Sequence, residues 1–188
     1  MRIVSLLLLA LVAGSLQGCF PVVAAGAGAG ALMIDDRRTS GAYIEDEAIE
    51  DKSNSRISNQ FKDTVHVNVT SFNRNVLISG EAPSEADKIE IGRIVAGMPN
   101  VRNVNNELVI AGLSSFSSRS SDSLITSDVK FRFLRDKRFG ANHIKVVTEN
   151  GTVFLLGIVK HAEADAATEV ASTTGGVQRV VKLYEYLD

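Results

Sequence analysis

Two stretches of this chain are written in the same grammar, and that repeat constrains the fold more than any other feature. Residues 66–110 read HVNVTSFNRNVLISGEAPSEADKIEIGRIVAGMPNVRNVNNELVI, and residues 143–187 read HIKVVTENGTVFLLGIVKHAEADAATEVASTTGGVQRVVKLYEYL. His66 and His143, Val76 and Val153, and Gly80 and Gly157 coincide at an offset of 77, while Val101 meets Val177 after a one-residue slip. Self-similarity at this length means that one supersecondary unit is used twice, so the unit is read before any local motif.

In each copy an alternating strand (Val65, Val67, Val69; Ile144, Val146) leads into a two-residue turn, Asn73-Arg74 or Asn150-Gly151. Asn-Gly is a strong hairpin signal because both turn positions need positive φ. The second strands, VLISG and VFLLG, are almost wholly apolar and close on Gly80 and Gly157. Both glycines are read as structural, placed where a side chain would obstruct the turn into the next helix. Helices are expected over about 84–97 and 162–174, and last strands over 104–110 and 177–187. Upstream of each copy, Ile49, Ile57 and Phe61, and then Ile125, Val129 and Phe133, fall at multiples of four, the spacing of a helix with one buried face. The unit is α-β-β-α-β.

Before the repeats, LLLLALVAGSLQGCF (residues 6–20) follows Arg2. The apolar run is shorter than the roughly 20 residues that cross a bilayer, and its cationic start and small-residue end describe a secretory leader. LQGC resembles a bacterial lipobox, with Leu16, Gly18 and Cys19 matching and Gln17 in a slot usually held by a small residue. The alternative, an ordinary leader with an incidental Cys19, leaves an odd thiol in an exported chain. The lipobox resemblance implies removal of residues 1–18 and acylation of Cys19, the chain's single cysteine, so disulfides and thiol chemistry drop out. Phe20 stands where inner-membrane lipoproteins usually carry Asp, which implies the outer membrane.

The Ala/Gly tract after Cys19 lacks the Gly-Lys-Ser/Thr of a phosphate loop and reads as a tether. AGLSSFSSRSSDS (111–123) reads as a linker or a helix lead-in, and EDEAIED (45–51) as an acidic first helical turn favoured by the helix dipole. Residues 19–113 carry 9 basic and 13 acidic side chains, and residues 114–188 carry 10 and 9. An anionic surface would therefore be met by the second half.

The α-β-β-α-β order, with a glycine closing the second strand and a Val-rich last strand, resembles the BON domain. Two copies behind a lipobox, with DRRTSG at 36–41 and the ending VQRVVKLYEYL, resemble the DolP/YraP family of outer-membrane lipoproteins. The resemblance implies an α+β fold of two tandem BON domains, each a three-stranded mixed sheet packed on two helices. The division is then a signal peptide at 1–18, a lipidated tether at 19–44, and BON domains at 45–112 and 113–188. It further implies a lipid-anchored protein of the outer membrane, facing the periplasm.

No catalytic constellation is legible. The serines cluster in 111–123 without a Gly-x-Ser-x-Gly elbow, and no two histidines lie at metal-ligand spacing. His66 and His143 share one slot and read as packing residues, and His161 as a solvated residue opening a helix. No enzyme activity, cofactor or metal ion is expected. An acidic pI of about 5.9 and the lack of aromatic platforms argue against a nucleic-acid partner.

The helix expected over 122–138 holds more than a core stripe. Leu124 and Phe131 lie seven apart on a line roughly 100° or more from the centre of the Ile125/Val129/Phe133 stripe, with Arg135 and Arg138 within about 40° of that line. Two arrangements fit: docking into a lipid interface with the basic groups on phosphates, or packing of Leu124 and Phe131 against the first domain. Asp128 lies on the same side and weighs against lipid. The family resemblance favours lipid, implying that Leu124, Phe131, Lys130, Arg135 and Arg138 bind anionic phospholipid such as phosphatidylglycerol or cardiolipin. Relatives tend to carry Trp where this chain has Leu124, and Leu lacks the interfacial preference of an indole, so weaker binding is expected. The family also implies support of envelope integrity, with outer-membrane assembly proteins as partners. The competing reading is a periplasmic scaffold for outer-membrane assembly or cell-wall remodelling factors.

Overall fold

A computed structural model describes residues 36–188, so the leader, Cys19 and the Ala/Gly tract lie outside the described residues. Helix α1 (Ser40–Phe61) precedes strands β1 (His66–Phe72) and β2 (Asn75–Ala82), helix α2 (Glu85–Ala96) and strands β3 (Asn103–Asn106) and β4 (Val109–Ile110). The second unit has α3 (Phe116–Arg135), β5 (Ile144–Glu149), β6 (Thr152–Val159), α4 (His161–Ser172) and β7 (Arg179–Tyr186). This is the expected α+β fold: β1 and β5 pair antiparallel with β2 and β6, which pair in parallel with the last strands. The first copy's last strand is broken between β3 and β4. Leu108 turns inward at the break and is buried with Ile49, Ile57, Val76 and Ile91.

Both turns are of the tight type with two positive φ angles, +50° and +66° at Asn73 and Arg74, +48° and +69° at Asn150 and Gly151. Arg74, a residue with a Cβ, adopts this conformation because a buried carboxylate holds the turn. Asp46, on α1 and only 2% exposed, accepts the Asn73 and Arg74 N–H groups at 2.8 and 2.7 Å. It also accepts the Ser71 hydroxyl at 2.6 Å and an Arg38 Nη1–H at 3.0 Å. Asp122 on α3 repeats the device, accepting the Asn150 and Gly151 N–H groups at 2.9 Å each.

One sequence expectation changes here, and one alternative, linker or helix lead-in, is decided. The acidic run at 45–51 is not a first turn, because α1 begins at Ser40, capped by the Thr39 hydroxyl. Asp46 is a buried turn clamp instead. The serine-rich stretch is largely helix, since α3 starts at Phe116 behind the Ser115 cap. Its serines fit because Ser121, Ser123 and Ser127 donate back to carbonyls four residues earlier.

The near-continuous apolarity of β2 and β6 follows from burial on both faces. Val76 and Ile78 face one helix-covered core and Val153 and Leu155 the other. Between them, Leu77, Phe154 and Leu156 join Phe72 in a third core, flanked by Val147, Ile158, Val181 and Leu183, where the two sheets meet. The sequence left the mutual position of the domains open; the structure packs them sheet to sheet, with polar ties around the seam. Lys145 donates to Glu50 at 2.6 Å, Asn73 and Asn75 donate to Glu185, and Arg37 donates twice to Glu163, at 2.6 and 2.8 Å.

Gly80 and Gly157 face a different obstacle from the one expected. β2 and β6 run on past them to Ala82 and Val159, so the turn into the helix is not what a side chain would meet. A Cβ on Gly80, whose φ is +115°, would stand 2.0 Å from the His66 carbonyl oxygen, and one on Gly157 would stand 2.6 Å from that of His143. The backbone at the start of the neighbouring strand comes too close for any side chain.

Candidate lipid-facing surface

Helix α3 turns Val129 and Phe133 into the second core, with Ile125 packed beside them, as its spacing predicts. Leu124 and Phe131 face solvent, 72% and 50% exposed, so the arrangement in which they pack on the first domain is absent. Two further apolar residues share their side. Phe116 and Leu134 are 80% and 72% exposed. At about 100° per residue these two fall on one line, with Phe131 and Leu124 about 60° and 80° around from it. The result is a row of apolar side chains spread along most of a helix some 30 Å long, interrupted by Ser120, Ser123 and Ser127, with exposed Asp128 about 40° beyond Leu124. Both ends lie outside the pair legible in the sequence: Phe116 precedes the helix expected from 122, and Leu134 sits about 60–80° from the Leu124/Phe131 line.

Arg135 closes one side of the ridge with its guanidinium 4.1 Å from the Phe131 ring centroid. The contact orders two exposed side chains together. Lys130 is also exposed, about 40° to the other side of the Phe116/Leu134 line. Neither makes an ion pair with an acidic side chain among the described residues, so both charges are available to an external anion.

Arg138 does not join this line. The helix ends at Arg135, and Arg138 lies beyond it, ion-paired at 2.7 Å with both Asp136 and Glu169. The hydrogen bonds it donates to these carboxylates hold its guanidinium pKa above the ordinary value. Arg132 turns the opposite way, onto the Val170 carbonyl of α4 and the Thr174 hydroxyl just past its end.

The three histidines differ from one another. His143 is buried in the short 3-10 turn before β5, whereas His66 is half-buried beside Glu81, at 3.0 Å. His161 is exposed but stacks on Tyr186, with centroids 4.0 Å apart, and meets Asp188 at 2.8 Å. Among the described residues no helix is long and apolar enough to cross a membrane.

Comparison with known proteins adds the family context. The BON domain model matches residues 45–112 and again 121–187. The outer membrane lipoprotein DolP of Haemophilus influenzae is 38% identical over 175 residues, covering 92% of this chain and 91% of its own. A 21 kDa hemolysin of Actinobacillus pleuropneumoniae is 34% identical, covering 81% of this chain and 79% of its own length. The osmotically-inducible protein Y of Escherichia coli is 29% identical over 145 residues, covering 74% of this chain and 72% of its own.

Proposed function

The chain belongs to the BON-domain proteins as a two-domain member of the DolP/YraP family, and from that premise we propose that it is a non-enzymatic lipoprotein that reads anionic phospholipid with its second domain. It is anchored in the outer membrane, through an acylated Cys19 in this proposal. The reading is carried by the exposed ridge of Phe116, Leu124, Phe131 and Leu134, flanked by Arg135 and Lys130. A helix with this face lies in the plane of the interface, its apolar side chains below the phosphates and its cations among them. Full burial of a Leu or Phe side chain contributes about 1.5–3 kcal/mol, and each cation near an anionic surface about 1 kcal/mol. A lipid anchor and a weak second contact on one chain reinforce each other through effective concentration. Support of envelope integrity, through outer-membrane assembly partners, belongs to this same proposal.

The experiment is co-sedimentation of the soluble fragment Asp35–Asp188, which holds both domains and all three cores. Vesicles of phosphatidylcholine alone are compared with vesicles containing phosphatidylglycerol or cardiolipin, at low and high salt. Salt-sensitive binding to the anionic vesicles, lost when Leu124 and Phe131 are both replaced by Ser, is the expected result. No binding to anionic vesicles at low salt would overturn the proposal and leave the ridge as a surface for protein.

A further inference from the structure

We infer that His66, Glu81 and Glu149 form a site for a divalent transition-metal ion, Zn²⁺ by the chemistry of its donors, that links the two domains. His66 Nδ1 lies 3.0 Å from Glu81 Oε2 and 3.7 Å from Glu149 Oε1. One donor atom from each residue falls within 4.8 Å of the others. Zinc bonds of about 2.0–2.1 Å to nitrogen and oxygen imply a tetrahedron edge of about 3.4 Å, which the two measured distances bracket.

The carboxylates are not surface groups. Glu81 and Glu149 are 6% and 7% exposed, and two carboxyl groups brought together at such depth are held ionised at least cost by a cation beside them. A single imidazole nitrogen carries at most one hydrogen, which the nearer Glu81 takes. The Asn68 amide donates to Glu149 Oε2 at 2.9 Å, but Oε1, aimed at Nδ1, is beyond hydrogen-bond reach and has no other partner among the described residues. A metal ion satisfies that atom together with the other two. Around the set, Asn68 holds Glu149 and the Ser114 N–H holds Glu81 at 3.2 Å, the kind of outer support that orients ligands.

The donor set selects the ion. One imidazole and two carboxylates suit zinc or a neighbouring transition metal, whereas Ca²⁺ takes six to eight oxygens. A cavity of about 330 Å³ opens onto His66 and Glu149 and gives room for entry and for a water as fourth ligand. Of its other charged walls, Arg119 and Asp122, the latter is committed to the 150–151 turn. The site is confined to one side of the repeat: where the first copy has Glu81, the second has Ile158 at the offset of 77. Because His66 and Glu81 belong to the first domain and Glu149 to the second, a bound ion joins them across the seam.

The test uses the Asp35–Asp188 fragment, stripped with EDTA and titrated with ZnCl₂, MgCl₂ and CoCl₂ near pH 7. One equivalent of zinc should bind, and the melting temperature should rise by about 5–10 °C at a hundredfold excess over the dissociation constant. Mg²⁺ should leave it unchanged. Glu149→Gln and His66→Gln, each first shown to be folded in EDTA, should lose the zinc-dependent rise. Co²⁺ gives an independent readout on the wild-type protein, as visible absorption of a tetrahedral complex displaced by zinc. Absence of saturable one-to-one zinc binding at 100-µM-order concentrations, absence of the cobalt bands, or a zinc-dependent rise in both variants as large as that of the wild-type protein would each overturn the inference.

Discussion

Asp46→Asn is nearly isosteric, yet the structure makes it a severe change. Each carboxylate oxygen accepts two hydrogen bonds: Oδ1 from the Ser71 hydroxyl and the Arg74 N–H, Oδ2 from the Asn73 N–H and Arg38 Nη1. Asparagine turns one oxygen into an NH₂ group. At Oδ2 it faces two donors, and at Oδ1 it opposes the Arg74 N–H, although the Ser71 hydroxyl can turn to accept, while Arg38 loses its anionic partner. Two charge-assisted bonds are lost either way. Hydrogen bonds to a charged acceptor contribute about 1.5–3 kcal/mol each, so losing two costs about 3–6 kcal/mol. For a unit of this size that corresponds to a fall in melting temperature of about 10–20 °C. Asp122 accepts two bonds, one on each oxygen, so Asp122→Asn loses one and should cost about half as much. Thermal and urea melts of the Asp35–Asp188 fragment measure both, and amide exchange at Asn73 and Arg74 should quicken in the first variant alone. If Asp46→Asn melted within about 2 °C of wild type, or cost less than Asp122→Asn, the clamp argument would fail.

Leu134→Ser and Phe116→Ser should each weaken binding to anionic vesicles by roughly 5–30-fold, since each removes about 1–2 kcal/mol of apolar insertion, with no loss of thermal stability because both side chains are solvent-exposed. Gly80→Ala should destabilise by more than about 1 kcal/mol and by more than Gly157→Ala, because Gly80 combines a positive φ with the closer carbonyl; equal melting temperatures would contradict this. The Glu163 carboxyl is held below its ordinary value of 4.5, first by the hydrogen bond from Arg37. A depressed carboxylate stabilises the fold above its unfolded pKa and loses that contribution as pH falls through the folded value. Arg37→Ala should therefore lower the melting temperature at pH 7 and differ less from wild type near pH 3, and a gap that widened on acidification would refute the assignment.

Much of the fold was legible because strand alternation, four-residue helix spacing and the turn dipeptides are local properties, and the repeat let each copy check the other. The boundaries failed where local chemistry was ambiguous. Serine is a neutral helix former whose hydroxyl can bond back to its own helix, so residues 116–123 read equally as linker or as helix lead-in, and the expected helix start falls at 122 instead of 116. An acidic run is most simply a helix start, and nothing local shows that one of its members, Asp46, is buried against a turn 27 residues later. On the outer face of α3 the sequence identified Leu124, Phe131, Lys130 and Arg135 as a group, but it included Arg138, which lies past the helix end and is ion-paired.

The sequence by itself determined the unit, its duplication and the Leu124/Phe131 part of the exposed helix face, because periodicity and turn chemistry act over a few residues. Only the tertiary structure decided that the two sheets pack against each other, since strands apolar on both faces need a second cover but do not name it. The same packing brings His66 and Glu81 to Glu149, from separate strands of two domains. No spacing encodes that meeting; it exists only where the two sheets dock.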